Sequence, residues 1–419
     1  MEKKAHIDKL TADAVDLLKE MIAIPSPSFR EDEVCSHISG WMDRKGIAHR
    51  RVGNNIIAER IGDTSKPTLM ICAHIDTVSP CEGYGFDPYR PDYQMAAKVI
   101  SESSGHDVGP EDIVAGLGSN DDGASAVAMI AAFRYFSEAS FRECRGALDN
   151  PSHSLGAGPS PCGQGGSTVL STSALPEGWP NLVLVLTCEE ERSGKGGMTG
   201  LWGTELCSRS ENKEGCTAID FAIVGEPTGM KAATAERGLL VIDAAAHGIS
   251  GHAARNEGRN ALYIALDDID RLRSHTFGRI SPRMGKVNLN VTQINSGCAH
   301  NVIPDRCDFV IDIRPTEQYT NEELLLELQG ICESELKPRN LGNRSSATAP
   351  DSPLQKAAEA LGIETFSSPT TSDWMRIGCD AVKMGPGESA RSHRKDEFVM
   401  VSEIGKGIET YIDFIYHLR

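Results

Sequence analysis

The chain has 419 residues, more than the ~250–300 at which a single hydrophobic core stops growing, so two domains are expected. Hydrophobic residues make up 40% and charged residues 24%, and no apolar run approaches the ~20 residues that span a bilayer, which argues against a membrane protein. A net charge of −17 without a basic cluster would repel a phosphate backbone, so no nucleic-acid partner is expected.

The first segment, residues 1–24, carries charges throughout and has apolar residues at helical spacing. We expect an amphipathic helix there and not a signal peptide, which needs an uninterrupted apolar core. The 12 cysteines lack the paired C-x-x-C spacing of a structural zinc site. These features predict a cytoplasmic protein with reduced thiols.

Three short apolar runs further along the chain end in polar residues. A helix over 31–45 and a strand over 55–60 are predicted before them, and a sheet-covering helix over 123–135 is predicted between the first two. Because ligands collect beyond the carboxyl ends of strands in α/β sheets, we expect these polar endings to meet in space. The runs cover residues 68–73, 181–187 and 221–224, and they lead into His74, Glu189-Glu190-Glu191 and Glu226.

The rest of the chain predicts an inserted domain. Residues 144–180 are rich in Gly, Ser and Pro and predict an irregular loop, and the apolar pattern of the first domain resumes after Ser352 and ends in a helix over 402–418. Between residue 180 and Ser352, strands are predicted over 239–246, 286–294 and 308–313, and helices are predicted over 260–273 and 321–336.

The predicted fold class is therefore α/β. A mixed sheet covered by helices would form a discontinuous catalytic domain, built from residues 1–232 and 348–419. An α+β domain, residues 233–347, would be inserted into it.

Two motifs each contain a candidate metal ligand, and each also has a purely structural interpretation. In His74-Ile75-Asp76 the carboxylate could fix the tautomer of a metal-binding imidazole, but a surface histidine beside a solvated aspartate gives the same pattern. Asp121 lies in a glycine-rich turn that opens a helix, where a metal ligand and a helix cap are both reasonable interpretations.

The run Glu189-Glu190-Glu191 is harder to explain by solvation, because three adjacent carboxylates at a strand end repel one another and favour a nearby positive charge. A carboxyl group with a raised pKa at this place would make a general base. A solvated acidic loop stays the alternative. Taken singly, Glu226, His252 between small residues and His393 after a Gly-Pro-rich stretch are unremarkable.

In order, the motifs H-x-D-T, G-x-G-x-x-D-D, E-E-E, G-E-P-T, G-x-x-x-H and G-P-G-x5-H resemble the signature of the zinc-dependent aminoacylase and carboxypeptidase (M20) family. That family includes acetylornithine deacetylase and succinyl-diaminopimelate desuccinylase. The resemblance covers essentially the whole chain, and the insert resembles the family's dimerisation (lid) domain. The stretches G-L-G-S-N-D-D-G-A-S and S-G-H-A-A-R are most similar to the acetylornithine or succinylornithine deacetylase branch.

The resemblance implies two divalent metal ions, Zn²⁺ or else Co²⁺ or Mn²⁺. Asp121 would bridge both ions. His74 and Glu226 would complete one site, and Glu191 and His393 would complete the other.

The resemblance also implies catalytic roles. Asp76 would orient His74, Glu190 would be the general base, and His252 would stabilise the oxyanion from the partner subunit, which implies a homodimer. The first acidic position of the family's triplet is usually Asp and here is Glu189, so a shift of one residue between base and ligand stays open.

Substrate binding is expected to need a cation for a carboxylate, and Arg314 is the candidate because arginine suits bidentate carboxylate binding. A strand-edge surface charge is the alternative for Arg314. Asn301 would line the same pocket, and Ser372 lies where the family often has a substrate-contacting loop.

These inferences predict a hydrolase that removes the N-acyl group from a small acylated amino acid. N-acetylornithine or N-succinylornithine is the first candidate, with arginine biosynthesis as the implied pathway. A di- or tripeptidase, a carboxypeptidase or a succinyl-diaminopimelate desuccinylase of the same family is the enzymatic alternative. A non-catalytic binding protein on the same scaffold is the third hypothesis.

Overall fold

The computed structural model of the protein describes residues 2–105, 107–148, 180–211, 213–255 and 257–418. The chain divides into two compact units. The first comprises Met1–Ala233, Thr348–Thr365 and Ile377–Arg419, and the second comprises Thr234–Ala347 and Phe366–Arg376. The first unit is thus discontinuous, and the short segment Phe366–Arg376, which lies within the predicted catalytic domain, groups with the second.

Four of the described helices follow a residue whose side chain accepts a hydrogen bond from the first turn. Asp92 accepts hydrogen bonds from the backbone N–H groups of Gln94 and Met95 at the start of one helix, and Gly105, in the left-handed conformation, ends it. In chain order the helices are α1 (Glu2–Ile22), α2 (Asp32–Arg44), α3 (Tyr93–Ser104), α4 (Ala124–Leu148), α5 (Met198–Leu201), α6 (Ala261–Ser274), α7 (Asn321–Gln329), α8 (Pro353–Ala360) and α9 (Val401–Tyr416).

The strands are short, and the longest have nine residues. In chain order they are β1 (Arg50–Val52), β2 (Asn55–Arg60), β3 (Thr68–His74), β4 (Ile113–Ala115), β5 (Asn181–Thr187), β6 (Leu206–Ser208), β7 (Thr217–Ile219), β8 (Phe221–Val224), β9 (Ala232–Glu236), β10 (Leu240–His247), β11 (Gly251–His252), β12 (Asn288–Ser296), β13 (Val302–Ile303), β14 (Arg306–Arg314), β15 (Glu335–Pro338), β16 (Ser346–Ala347), β17 (Thr365–Ser368), β18 (Asp380–Lys383) and β19 (Phe398–Met400).

A mixed sheet forms the centre of the first unit. Six of its strands lie in the order β1, β2, β5, β3, β8 and β18. The four neighbours β5, β3, β8 and β18 are parallel, whereas β2 is antiparallel to β5. The carboxyl ends of the four parallel strands therefore meet at one edge of the sheet.

The central strands are covered on both faces. Every residue of β3 and of β5 is buried, which is the pattern of parallel strands between helical layers. Helix α4 packs against β3 and β5 and also contacts α1 and α9. Its first turns are rich in small buried residues such as Ala124, Ala126 and Ala128, which allow the close approach of helix and sheet.

The second unit contains an antiparallel sheet in the order β12, β14, β10 and β15. Helix α6 packs against β10, β12 and β14, and α7 contacts β15. The predicted helix over 321–336 is too long, because α7 ends at Gln329 before Gly330. Leu336 instead pairs with Ala244 in the sheet. Gly330 lowers the helix propensity of this stretch. The residues that follow it pair in the sheet as β15 instead.

The predicted fold class is confirmed: a mixed sheet with covering helices is interrupted by a mainly antiparallel insert. The predicted irregular segment 144–180 lies mostly outside the described residues, and α4 continues through its start to Leu148. Within the described part of the chain, none of the helices has the length and apolar character needed to cross a membrane.

Candidate metal centre

The five predicted metal-binding residues and the predicted base Glu190 lie together at the carboxyl edge of the sheet in the first unit. One is the last residue of its strand, three follow strands, one lies in the turn that opens α4, and one lies in the loop after β18. These residues are His74 on β3, Glu190 and Glu191 after β5, Glu226 after β8, Asp121 before α4 and His393 after β18.

The carboxylate of Asp121 lies between two imidazoles. Its Oδ1 is 3.2 Å from Nε2 of His74, and its Oδ2 is 3.6 Å from Nε2 of His393. The side chain is 10% exposed. Because each oxygen faces a different histidine, the carboxylate is arranged as a bridging ligand of two metal ions would be.

His74 is buried and held from its far side. Its Nδ1 lies 3.0 Å from the backbone oxygen and 3.5 Å from the carboxylate of Asp76, so Nε2 is the nitrogen that faces Asp121. Burial disfavours the charged imidazole, but the hydrogen bonds with Asp121 and Asp76 outweigh it and raise the pKa of His74 well above 6.5. The carboxylates of Asp121 and Asp76 thus make the surroundings of His74 favourable for a positive charge.

His393 lies on the open side of the cluster, with 57% of its side chain exposed. Its Nε2 is 3.0 Å from Oε2 of Glu191, and this contact raises the pKa of His393 to about 9. The cluster therefore has one buried imidazole and one that reaches solvent, which leaves access for water and a small substrate.

Two buried carboxylates hold the glutamate run after β5. Asp76 accepts hydrogen bonds from the backbone N–H groups of Glu190 (3.0 Å) and Glu191 (3.2 Å) and from the hydroxyl of Ser28 (2.7 Å). Glu31, fully buried, accepts one from the backbone N–H of Glu189 at 3.1 Å. These bonds fix the backbone from which the side chains of Glu190 and Glu191 project.

The side chain of Glu189 is engaged elsewhere. Its Oε2 accepts a hydrogen bond from the N–H of Gly196 at 2.8 Å. A Cβ on Gly194 would lie 2.4 Å from the Cβ of Glu189, so a larger residue at position 194 would clash with the base of this side chain. The geometry favours Glu190 and Glu191, and not Glu189, as the residues that face the cluster.

The residues fit a divalent metal. Ligand atoms lie within 4.8 Å of one another in two groups, His74 with Glu190 and Glu226, and His74 with Asp121 and Glu191. Burial raises the pKa of Glu226 well above 4.5, and the carboxylate of Asp121 adds to this shift. Such crowded carboxylates favour a cation. Imidazole nitrogens and carboxylate oxygens suit Zn²⁺, Co²⁺ or Mn²⁺.

The sequence analysis missed three buried polar residues around this cluster. Glu31 and Asn120 are 0% exposed and Glu397 is 2% exposed. Fully buried acidic residues are rare, and no local pattern marks Glu31 or Glu397. Asn120 lies inside the G-x-G-x-x-D-D motif, directly before Asp121, and this position was the available signal.

Three of the other predicted site residues lie on strands or loops of the second unit. His252 is exposed on β11, and Asn301 lies beside it, because the N–H of Ala253 donates to the backbone oxygen of Asn301 at 3.0 Å. Arg314 ends β14 and binds Asp312 through two hydrogen bonds of 2.9 and 3.2 Å. Its predicted role toward a substrate carboxylate stays a prediction, and Asp312 competes for the guanidinium.

Ser372 belongs to the segment that groups with the second unit. It is fully buried, and its hydroxyl donates to Oε2 of Glu236 at 2.7 Å. The structure therefore shows a role for Ser372 in holding a buried carboxylate. Its contact with a substrate stays a prediction.

The chain is similar in sequence to one protein family and to enzymes of two kinds. Residues 234–340, within the second unit, match the M20 family described as the peptidase dimerisation domain. The chain is 28% identical over 245 residues to an acetylornithine deacetylase of Myxococcus xanthus, covering 53% of this chain and 61% of that protein. It is 32% identical over 152 residues to a succinyl-diaminopimelate desuccinylase of Paracoccus denitrificans, covering 34% and 37%.

The fold is shared over nearly the whole chain. A dinuclear metal-binding peptidase of the M20 family from Bacillus subtilis superposes with a TM-score of 0.62 at 15% identity, covering 97% of this chain and 98% of that one. The matches to the two relatives span less than two thirds of their lengths. The resemblance to the M20 family that the ordered motifs predicted is confirmed: residues 234–340 match its dimerisation domain, and the chain has the fold of an M20 peptidase.

The role of Asp76 generates a prediction about stability. Replacement Asp76→Asn puts an amide N–H₂ where a carboxylate oxygen accepts backbone N–H groups, so a buried donor loses its partner. The free energy of unfolding of the metal-free protein should fall by about 1–3 kcal/mol, measured by chemical denaturation in the presence of a chelator.

Asp87 offers a matched control for this substitution. Its carboxylate also accepts two backbone N–H groups, from Tyr89 and Arg90, but in an exposed turn. Water can replace those bonds, so Asp87→Asn should change the free energy of unfolding much less. Equal losses in the two variants would show that Asp76 does no more than an ordinary turn residue.

Proposed function

We propose that the protein is a metal-dependent amidohydrolase that removes the acyl group from an N-acylated amino acid. The observation that carries this proposal is the carboxylate of Asp121, whose two oxygens face His74 and His393 separately. A binding protein without catalytic activity would not need these imidazole and carboxylate donors at a solvent-accessible edge of the sheet.

In this proposal Asp121 would bridge two divalent ions. His74 and Glu226 would hold one ion together with Asp121. Glu191 and His393 would hold the other, and the 3.0 Å contact between these two side chains supports their grouping. Two bound ions supply Lewis-acid polarisation of the amide carbonyl and make water a stronger nucleophile near neutral pH.

Glu190 is the proposed general base. It is grouped with His74 and Glu226, which puts its carboxylate at the cluster, while Asp76 and Glu31 fix the backbone around it. Glu190 accepts a proton from the attacking water and returns it to the amine as the carbon–nitrogen bond breaks. The products are a carboxylic acid and a free amino group.

The proposed substrates are N-acetylornithine and N-succinylornithine. The support comes from the two motifs that resemble the acetylornithine deacetylase branch and from the similarity to a Myxococcus acetylornithine deacetylase. The similarity to a desuccinylase is consistent with the wider class of acylated amino acids.

We also propose that the protein is a homodimer that pairs through its second unit. That unit matches a dimerisation domain. Among the described strands, β12 has a paired neighbour on one side only, and Ile294 on it is 48% exposed. An unpaired edge strand with an exposed apolar residue favours pairing with a second copy. Residue His252, exposed on the same unit, would then serve the partner's site.

Substitution of the two glutamates separates base from ligand. Glu190→Gln should retain about two metals per chain and lower kcat at least about 100-fold, because the proton acceptor is lost. Glu191→Gln should lose metal as well as activity. Each variant is the control for the other, and the measurement is the metal content of the purified proteins. Metal loss in Glu190→Gln with retention in Glu191→Gln would reverse the assignment.

The substrate assignment predicts a ranking of kcat/KM. With Zn²⁺ or Co²⁺ added, acetyl- and succinylornithine should be turned over faster than any member of a panel of unmodified dipeptides. The metal ligands alone do not distinguish the two types of amide, so the substrate pocket must do so. Faster dipeptide turnover would replace the deacylase with a peptidase on the same centre. Activity of a protein that contains no metal would contradict the whole mechanism.

The dimer proposal predicts that a charge on the edge strand weakens self-association. Ile294→Arg should raise the dimer dissociation constant at least about tenfold, a change of ~1.4 kcal/mol, measured by sedimentation velocity over a concentration series. Leu326→Arg, on α7 and 71% exposed in the same unit, adds the same charge away from β12 and should leave the dimer intact. Unchanged association of Ile294→Arg would exclude this edge as the interface.

A further inference from the structure

Two segments that carry proposed metal ligands are bonded to each other. We name residues 116–123, which contain Asp121, the bridging turn, and residues 385–397, which contain His393, the histidine loop. They are separated in sequence by more than 260 residues. One buried side chain from each segment binds the backbone of the other.

Glu397 binds the bridging turn. Its Oε1 accepts hydrogen bonds from the backbone N–H groups of Asn120 and Asp121, both at 2.9 Å, and its Oε2 accepts one from Gly118 at 3.1 Å. Its backbone oxygen also accepts the N–H of Gly116 at 2.9 Å. One buried carboxylate thus fixes the backbone of Asp121 and of the residues before it.

Asn120 binds the histidine loop in return. Its Oδ1 accepts the backbone N–H of Glu388 at 2.9 Å, and its Nδ2 donates to the backbone oxygen of Glu388 (3.1 Å) and to the hydroxyl of Ser392 (3.3 Å). A Cβ on Gly387 would lie 2.3 Å from Oδ1 of Asn120, so the amide and the loop approach closely. Ser392 directly precedes His393, and the position of that ligand therefore depends on Asn120.

We infer that Glu397 and Asn120 are a reciprocal pair of positioning residues that set the distance between Asp121 and His393. The inference rests on the proposed metal centre. Neither residue needs to touch metal or substrate. Each one fixes the backbone that carries a ligand, and together they make the bridging carboxylate and the outer histidine a single rigid unit.

A merely structural role must be distinguished from this one, because any buried hydrogen-bonded residue contributes to stability. Asp268 in the second unit offers a matched comparison. It is fully buried and accepts hydrogen bonds from the N–H groups of Glu333 (3.0 Å) and Ser334 (2.8 Å) and from the hydroxyl of Ser334 (2.6 Å). Its hydrogen bonds from backbone N–H groups resemble those of Glu397. Asp268 also forms an ion pair with Arg271 at 2.7 Å, and it holds no segment that carries a proposed ligand.

The experiment titrates metal-free full-length protein with Co²⁺ alone and follows calorimetry and visible absorption. Three variants are compared with the wild type: Glu397→Gln, Asn120→Ala and Asp268→Asn. Asn120→Ala changes no charge, so it separates an effect of position from an effect of lost negative charge. It also keeps the test open if Glu397→Gln does not fold.

The wild type is expected to bind two Co²⁺. Glu397→Gln and Asn120→Ala should bind at least one ion about 10- to 100-fold more weakly, the effect typical of groups that orient metal ligands, and should show altered absorption bands. Asp268→Asn should lower the melting temperature and leave Co²⁺ affinity and absorption unchanged.

Wild-type affinity and absorption in folded Asn120→Ala and Glu397→Gln would overturn the inference and leave the proposed function intact. Weakened binding in Asp268→Asn as well would also overturn it, because stability alone would then explain the effect. A wild type that binds no Co²⁺ would remove the metal centre and the inference together.

Discussion

The architecture of the first unit depends on one electrostatic constraint, the gathering of several carboxylates at a buried edge of the sheet. Asp121 and Glu226 lie close enough that burial and mutual repulsion raise the pKa of Glu226. Without metal, the imidazoles of His74 and His393 supply the balancing positive charge. A divalent cation would do so more strongly, and each imidazole would then turn from a counter-ion into a ligand.

Acidic residues serve two separate purposes around this edge. Some face the cluster and interact with cations. Others, namely Asp76, Glu31 and Glu397, accept hydrogen bonds from the backbone of the loops that carry the first group. The hydrogen bonds of the second group make these loops rigid, because a buried carboxylate that accepts several N–H groups tolerates little movement of its donors. Rigid strand ends and fixed loops together place side chains from distant segments within ligand distance.

Much of this could be predicted from the sequence, and the exceptions have a common cause. The strands over 181–187 and 221–224 have the predicted bounds, because short, mainly apolar runs between turns have few other solutions. The strand over 55–60 also has the predicted bounds, although it ends in Glu59-Arg60. His74, Glu190, Glu191 and Glu226 could be found at the ends of apolar strands, whereas Asp121 and His393 could be found only through the ordered motifs. Glu31 and Glu397 could not, since their donors are distant in sequence: Glu397 binds residues about 280 positions away. Burial of such a carboxylate depends on tertiary packing alone.

The position of β18 beside β8 has a consequence for how the protein is made. The last parallel strand, β18, is synthesised after the entire insert, although its neighbour in the sheet, β8, precedes it. This pairing has high contact order, which slows its formation in folding. The edge of β8 that β18 covers therefore stays unpaired until β18 has been synthesised, and in that interval the exposed apolar strand edge favours aggregation.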